Sequence, residues 1–121
     1  MTPSSINLRE KLNLFSDHWS PRIIARMNNY HLKLVKFTGD FVWHSHSDTD
    51  ETFLVLKGEM RIDFRDGSAT LKEGELMVVP KQVEHKPFSY NECHVLLFEP
   101  EGTVNTGDSG GSLTQDDIDW I

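Results

Sequence analysis

The stretch that most constrains this chain is Glu59 to Leu71, EMRIDFRDGSATL, in which Met60, Ile62 and Phe64 alternate with Glu59, Arg61 and Asp63. Successive side chains of an extended chain point to opposite faces, so this strand has one core face and one wet face. Asp66-Gly67 follows at once. That dipeptide suits a type I′ hairpin turn, whose two central residues need positive φ, and Ser68 to Leu71 is expected to return along the sheet.

The same grammar runs from Ile23 to Phe98: short segments rich in Val, Ile, Leu and Phe, separated at close intervals by turn signals. It predicts an antiparallel all-β sandwich or barrel of eight or nine strands. The expected strands are Ile23 to Met27, Tyr30 to Phe37, Phe41 to His46, Thr52 to Leu56, the hairpin above, Leu76 to Val79 and Val95 to Phe98. Phe53-Leu54-Val55-Leu56 does not alternate, which predicts cover on both faces, one by the barrel interior and one by a partner such as a second copy in a homodimer. Residues 1–20 form a lead-in with weak helical spacing at Ile6, Leu8, Leu12 and Phe15 and a cap at Asn7 or Ser5. Residues 21–100 form the barrel. Residues 101–121 form a polar tail whose Gly-rich part reads as a loop or linker and whose apolar end residues, Ile118, Trp120 and Ile121, could either dock on the barrel or a neighbouring subunit or stay free.

Composition narrows the function. The chain has 121 residues, which suits one domain with one core, and a net charge of -7, which disfavours nucleic acid or an anionic membrane as partner. No apolar run is long enough to span a bilayer and no signal-like N-terminus precedes the strands, so a cytoplasmic protein is expected. Cys93, the only cysteine, excludes an intrachain disulfide.

Chemistry concentrates between Gly39 and Gly58, GDFVWHSHSDTDETFLVLKG. On a strand His44 and His46 would project the same way from Cα atoms roughly 6.6 Å apart, so both imidazoles could reach one ion. Glu51 would point the other way on an uninterrupted strand, and the polar turn Ser47 to Asp50 resets it. A third histidine closes the stretch Gly74 to His85, where Pro80 ends a strand and a short turn would swing His85 back over the sheet.

Together these residues resemble the two motifs of the cupin superfamily, small jelly-roll (double-stranded β-helix) barrels. Gly39, His44, His46, Glu51 and Gly58 match the first motif; Gly74, Pro80 and His85 match the second, in which Gln82 replaces a glycine and Ser89 an asparagine. The resemblance spans about residues 33 to 98. It implies a metal held inside the barrel by His44, His46, Glu51 and His85. Imidazoles with one carboxylate suit a divalent Fe, Mn, Ni, Co, Cu or Zn ion rather than Ca or Mg. Such a centre would act on a small polar organic molecule by dioxygenase-like or isomerase-like chemistry, although no general base can be placed. The alternative is a non-catalytic cupin that holds a small molecule or metal for sensing or storage.

Other candidates are weaker. Asp48 and Asp50 read as solvated turn residues, and Cys93 and His94 as strand neighbours facing opposite ways. His18 and His31 belong to surface or packing roles, Phe41 and Trp43 to the outer sheet, and Lys81 and Glu84 to the rim of the mouth. Gly107-Asp108-Ser109-Gly110-Gly111 spells the segment around the nucleophilic serine of chymotrypsin-like proteases, but no histidine follows it and the scaffold is absent, so it reads as a flexible linker.

Overall fold

The structure, a computed structural model, describes residues 2–115 and 117–121. One short helix, α1 (Leu8–Leu12), precedes seven strands: β1 (Arg22–Met27), β2 (Tyr30–Asp40), β3 (Glu51–Lys57), β4 (Glu59–Phe64), β5 (Gly67–Lys72), β6 (Leu76–Val79) and β7 (His85–Pro100). Every strand pairing is antiparallel. Asn7 caps α1 by accepting a hydrogen bond from the Glu10 N–H, which satisfies a helix N–H that has no partner within the helix.

The long strand β7 organises the barrel. Its C-terminal half lies between β2 and β3 in the order β1-β2-β7-β3-β6, and its N-terminal half pairs with β4, which pairs with β5. Between Phe37 opposite Cys93 and Gly39 opposite Ser89 the register shifts, and the extra residues of β7, Tyr90 to Glu92, stand exposed. The irregularity lets one strand serve both layers. The alternation in β4 behaves as its pattern requires. Met60 and Ile62 are fully buried, each burial stabilising by roughly 1.5–3 kcal/mol.

Two apolar clusters result. The interior packs Val35, Phe37, Phe53, Val55, Ile62 and Val95 with Trp19 and Phe41. A second cluster covers the outer face, where Leu12 and Phe15 lie on Ile24, Leu34 and Leu96, with Leu54 and Leu56 at its margin. The unalternating run of β3 is therefore covered on its outer side partly by the chain's own N-terminal segment. No helix among the described residues is long and apolar enough to cross a membrane.

Several expectations are corrected. Among the described residues there are seven strands rather than eight or nine, because Phe41 to His46 is not a strand: of those residues His44 alone makes an isolated bridge, to His85. The last strand begins at His85 rather than Val95; His85, Pro87 and Ser89 face inward, a polar and proline-bearing set that hides the alternation. The hairpin loop is Arg65-Asp66, since Phe64 pairs with Gly67, and none of these residues has positive φ, so the turn is not type I′. The end of the tail docks on the barrel, one of the alternatives the sequence left open, and its Gly-rich part is packed rather than a free linker. Ile23 bonds Asp119 and Ile121 through its backbone at 2.8 and 3.0 Å and bridges Trp120, which covers the edge of β1. Asn105 bonds the Leu113 carbonyl and accepts from the Gln115 N–H, and Thr106 is fully buried.

Candidate metal centre

His44 and His85 are brought together by backbone pairing. The N–H of each donates to the carbonyl of the other, at 3.0 and 2.9 Å. His46 follows on a non-repetitive segment whose carbonyl accepts from the Gln82 N–H at 2.7 Å. Glu51 is the first residue of β3, so the acidic turn delivers it by starting a new strand rather than by bending an old one. Asp50 takes part in that turn, accepting from the Lys81 N–H at 2.9 Å, while Asp48 stays exposed.

His44, His46, Glu51 and His85 are all buried, and one ligand atom from each lies within 4.8 Å of the others. Donors bound at about 2.1 Å to one ion stand at most about 4.2 Å apart, so the cluster is within a small side-chain rotation of closure. The Nδ1 atoms of His44 and His85 each lie 2.9 Å from a carbonyl, of Val42 and Val83. A carbonyl only accepts, so both Nδ1 atoms carry the proton, as is usual for oriented metal ligands. The His85 Nε2 then faces Glu51 Oε1 at 3.3 Å, and His46 Nε2 stands 3.4 Å from the same oxygen with no hydrogen-bond partner. With Nδ1 protonated, a neutral His85 ring presents a lone pair to that carboxylate. A proton or a metal cation has to lie between them, and the donor set suits a transition ion.

The electrostatics agree. Burial, followed by the neighbouring His85, depresses His44 to about 4, which keeps it in the neutral form that coordinates. Burial alone would raise Glu51, yet the adjacent His46 and His85 imidazoles outweigh it and hold the carboxyl well below the usual carboxylate range. Behind Glu51 lies Glu99, raised well above its usual value by burial and then by the Glu51 charge. Lys33 Nζ reaches Glu99 Oε1 at 2.9 Å, both side chains being essentially inaccessible.

A cavity of about 20 Å3, large enough for a water, lies against His44 and Glu51 and is otherwise lined mainly by Trp19, Phe37, Phe41, Phe53 and Asn105. Phe41 is thus inside the barrel, its ring edge-on to His44 at 5.4 Å, and not on the outer sheet as expected. Trp43 does lie outward, under the Arg65 guanidinium at 3.8 Å. Trp19 stacks on Phe37 and Phe41 at 4.3 and 4.7 Å and holds φ +60, its indole donating to the Thr38 carbonyl. His18 pairs with Glu92, His31 with Glu101, and Glu84 with Arg65, all outside the centre. Cys93 is buried, its thiol pushed up to about 12, and takes no part.

Sequence reasoning missed Lys33, Glu99, Trp19, Asn105 and Gly107 near the centre. A charged residue inside an otherwise apolar strand, as at Lys33, was the available signal for the buried pair.

An antiparallel β-barrel around a buried cluster of three histidines and one glutamate defines the class of protein. The family model described as a cupin domain matches residues 33–98, and the chain belongs to that family. It is 54% identical to a cupin-2 domain containing protein of Shewanella frigidimarina, over 79% of this chain and 94% of that one, with a TM-score of 0.79. It is 43% identical to YdbB, an uncharacterized protein of Bacillus subtilis, over 55% of this chain and 60% of that protein's length. It also resembles hydroquinone 1,2-dioxygenase from a Sphingomonas species, solved with 4-nitrophenol. There the identity is 20% over 80% of this chain and 32% of that chain, with a TM-score of 0.70, a likeness of fold alone.

The motif departure at Gln82 has a structural counterpart. Gln82 holds φ +70, a left-handed conformation that glycine adopts without strain. Its side chain contributes only a long 3.4 Å contact to the Ser47 carbonyl. Gln82→Gly is therefore expected to stabilise the chain by about 1 kcal/mol, the left-handed penalty less the added freedom of the unfolded chain. A lower urea midpoint for the variant would refute this.

Proposed function

We propose that this chain is a metal-dependent cupin that binds one divalent transition ion through His44, His46, Glu51 and His85 and acts on a small organic molecule at the adjacent cavity. The observation that carries the reading is the buried His46 Nε2, unpartnered and aimed with His85 Nε2 at one Glu51 oxygen. When bound, such an ion supplies Lewis acidity and, if redox-active, electron transfer. The chain's own contribution is to orient the ligands and exclude water, through the carbonyls of Val42 and Val83 and the aromatic wall of Trp19, Phe37, Phe41 and Phe53.

That wall shifts the ligand class. The sequence suggested a polar molecule, whereas the cavity offers polar atoms from His44, Glu51 and Asn105 among mainly apolar side chains. A small, mainly apolar ligand with one donor oxygen matches the chemistry of this lining. The non-catalytic alternative is favoured by the size of the cavity: about 20 Å3 admits a water but no ring unless Trp19 or another wall residue moves.

The test is elemental analysis of protein purified without an affinity tag, with thermal melts before and after chelation. About one ion per chain and a lower melting temperature on chelation are expected. Absence of both overturns the reading. Turnover of phenols or diketones would separate enzyme from binding module. The expected homodimer is supported by Leu76 and Val78 of the edge strand β6, both exposed beside β3; a monomer mass by light scattering would refute it.

A further inference from the structure

The three candidate imidazole ligands are not held alike. His44 and His85 are each oriented by an Nδ1–H bond to a carbonyl two residues back in the chain, whereas His46 makes no such hydrogen bond among the described residues. What lies against its Nδ1 is Gly107. A Cβ built on Gly107 would meet that nitrogen at 3.2 Å, would stand 2.9 Å from the Ser45 carbonyl carbon and would overlap the Ser45 oxygen outright. The next residue secures the contact: the Asp108 N–H donates to that same Ser45 oxygen at 3.0 Å.

The backbone of Ser45-His46 is thus gripped from two sides, by Asp108 of the C-terminal segment and by Gln82 of the turn before His85. The C-terminal grip is itself anchored. Thr106 is fully buried, with its hydroxyl 2.6 Å from that of Thr114, and Asn105 reaches both the Leu113 carbonyl and the wall of the cavity.

We infer that Gly107, seated on Ser45 and His46, is a positioning residue of the metal centre, holding the His46 ring where the other two histidines use hydrogen bonds. The inference rests on the metal reading above. It also reassigns the protease-like string Gly107 to Gly111: its first glycine is required by close approach, while Ser109 stays exposed. A ligand left without its orienting partner typically loses about 10- to 100-fold in metal affinity.

Gly107→Ala tests this against Gly110→Ala. Gly107 and Gly110 both hold positive φ, +55° and +68°, so both variants carry a backbone penalty, but nothing lies within 4 Å of a Cβ at Gly110. Each full-length variant is titrated with Co2+ after chelation, reading the dissociation constant and the visible ligand-field bands, with a melt of the metal-free form. Expected are a dissociation constant about 10- to 100-fold weaker and altered bands for Gly107→Ala alone. Wild-type affinity in Gly107→Ala, or equal weakening in both variants, overturns the inference. If Gly107→Ala does not fold, Asp108→Pro, which removes the donor to Ser45, is read in its place by the same criteria. A wild-type chain that binds no Co2+ overturns the metal reading itself, which separates the two failures.

Discussion

His44→Ala combined with His85→Ala is expected to leave a folded barrel that no longer holds a transition ion. Metal content should fall from about one per chain to background, and the thermal stabilisation given by added metal should vanish. The size of the effect follows from the ligand count. Four-ligand sites bind with apparent free energies of about 10–16 kcal/mol, so deleting two of four donors is expected to remove 5 kcal/mol or more, about a thousandfold or greater in affinity. The metal-free fold should tolerate the change, because the pairing of His44 with His85 is made by backbone N–H and carbonyl groups that alanine retains. Full occupancy in the folded double variant would sink the ligand assignment, whatever the activity of the protein.

Lys33→Met is expected to cost stability heavily. Lys33 and Glu99 are 2% and 1% exposed and 2.9 Å apart, and the second Glu99 oxygen has no partner. Removing the ammonium forces Glu99 either to take up a proton or to stand as an uncompensated buried carboxylate facing Glu51, and breaking such a pair typically costs about 3–5 kcal/mol where the charge remains. The pH dependence has a definite sign. Glu99 is raised in the folded state, so it takes a proton more readily there than in the unfolded chain. Its contribution is most favourable below the unfolded carboxyl pKa and is lost as pH rises through the higher folded value. The defect of Lys33→Met should therefore be smaller near pH 4 than near pH 8 in urea unfolding. Adding Glu99→Met should recover most of the loss at pH 8, since a pair replaced by apolar side chains leaves no uncompensated charge. A loss independent of pH, or a double variant no more stable than the single one, would show that packing rather than charge accounts for the effect.

Much of this molecule was legible in its residues. The alternation of Met60, Ile62 and Phe64 and the stop at Pro80 report on neighbours in the chain, and local sterics and side-chain direction are decided over a few residues. The all-β class follows from them. The four candidate ligands were also readable, because residue type and spacing together are unusual. Less legible was the path of the backbone between Gly39 and Glu51. Phe41 to His46 resembled a strand, yet its backbone hydrogen bonds go to Pro87, His85, Gln82 and Asp108, scattered partners that local periodicity cannot reveal.

The sequence by itself determined the antiparallel all-β class and, through its resemblance to the cupin motifs, implied a barrel and named His44, His46, Glu51 and His85. Period-two patterning and ligand chemistry are properties of short segments. Only the tertiary structure decided how they meet: His44 against His85 across 41 residues, Glu51 at the head of a new strand, Lys33 against Glu99 across 66 residues, and Gly107 of the supposed linker against His46. Each of these contacts joins segments far apart in the chain. What closes them is burial of the shared core around β7, a sum over many residues that no single stretch of sequence displays.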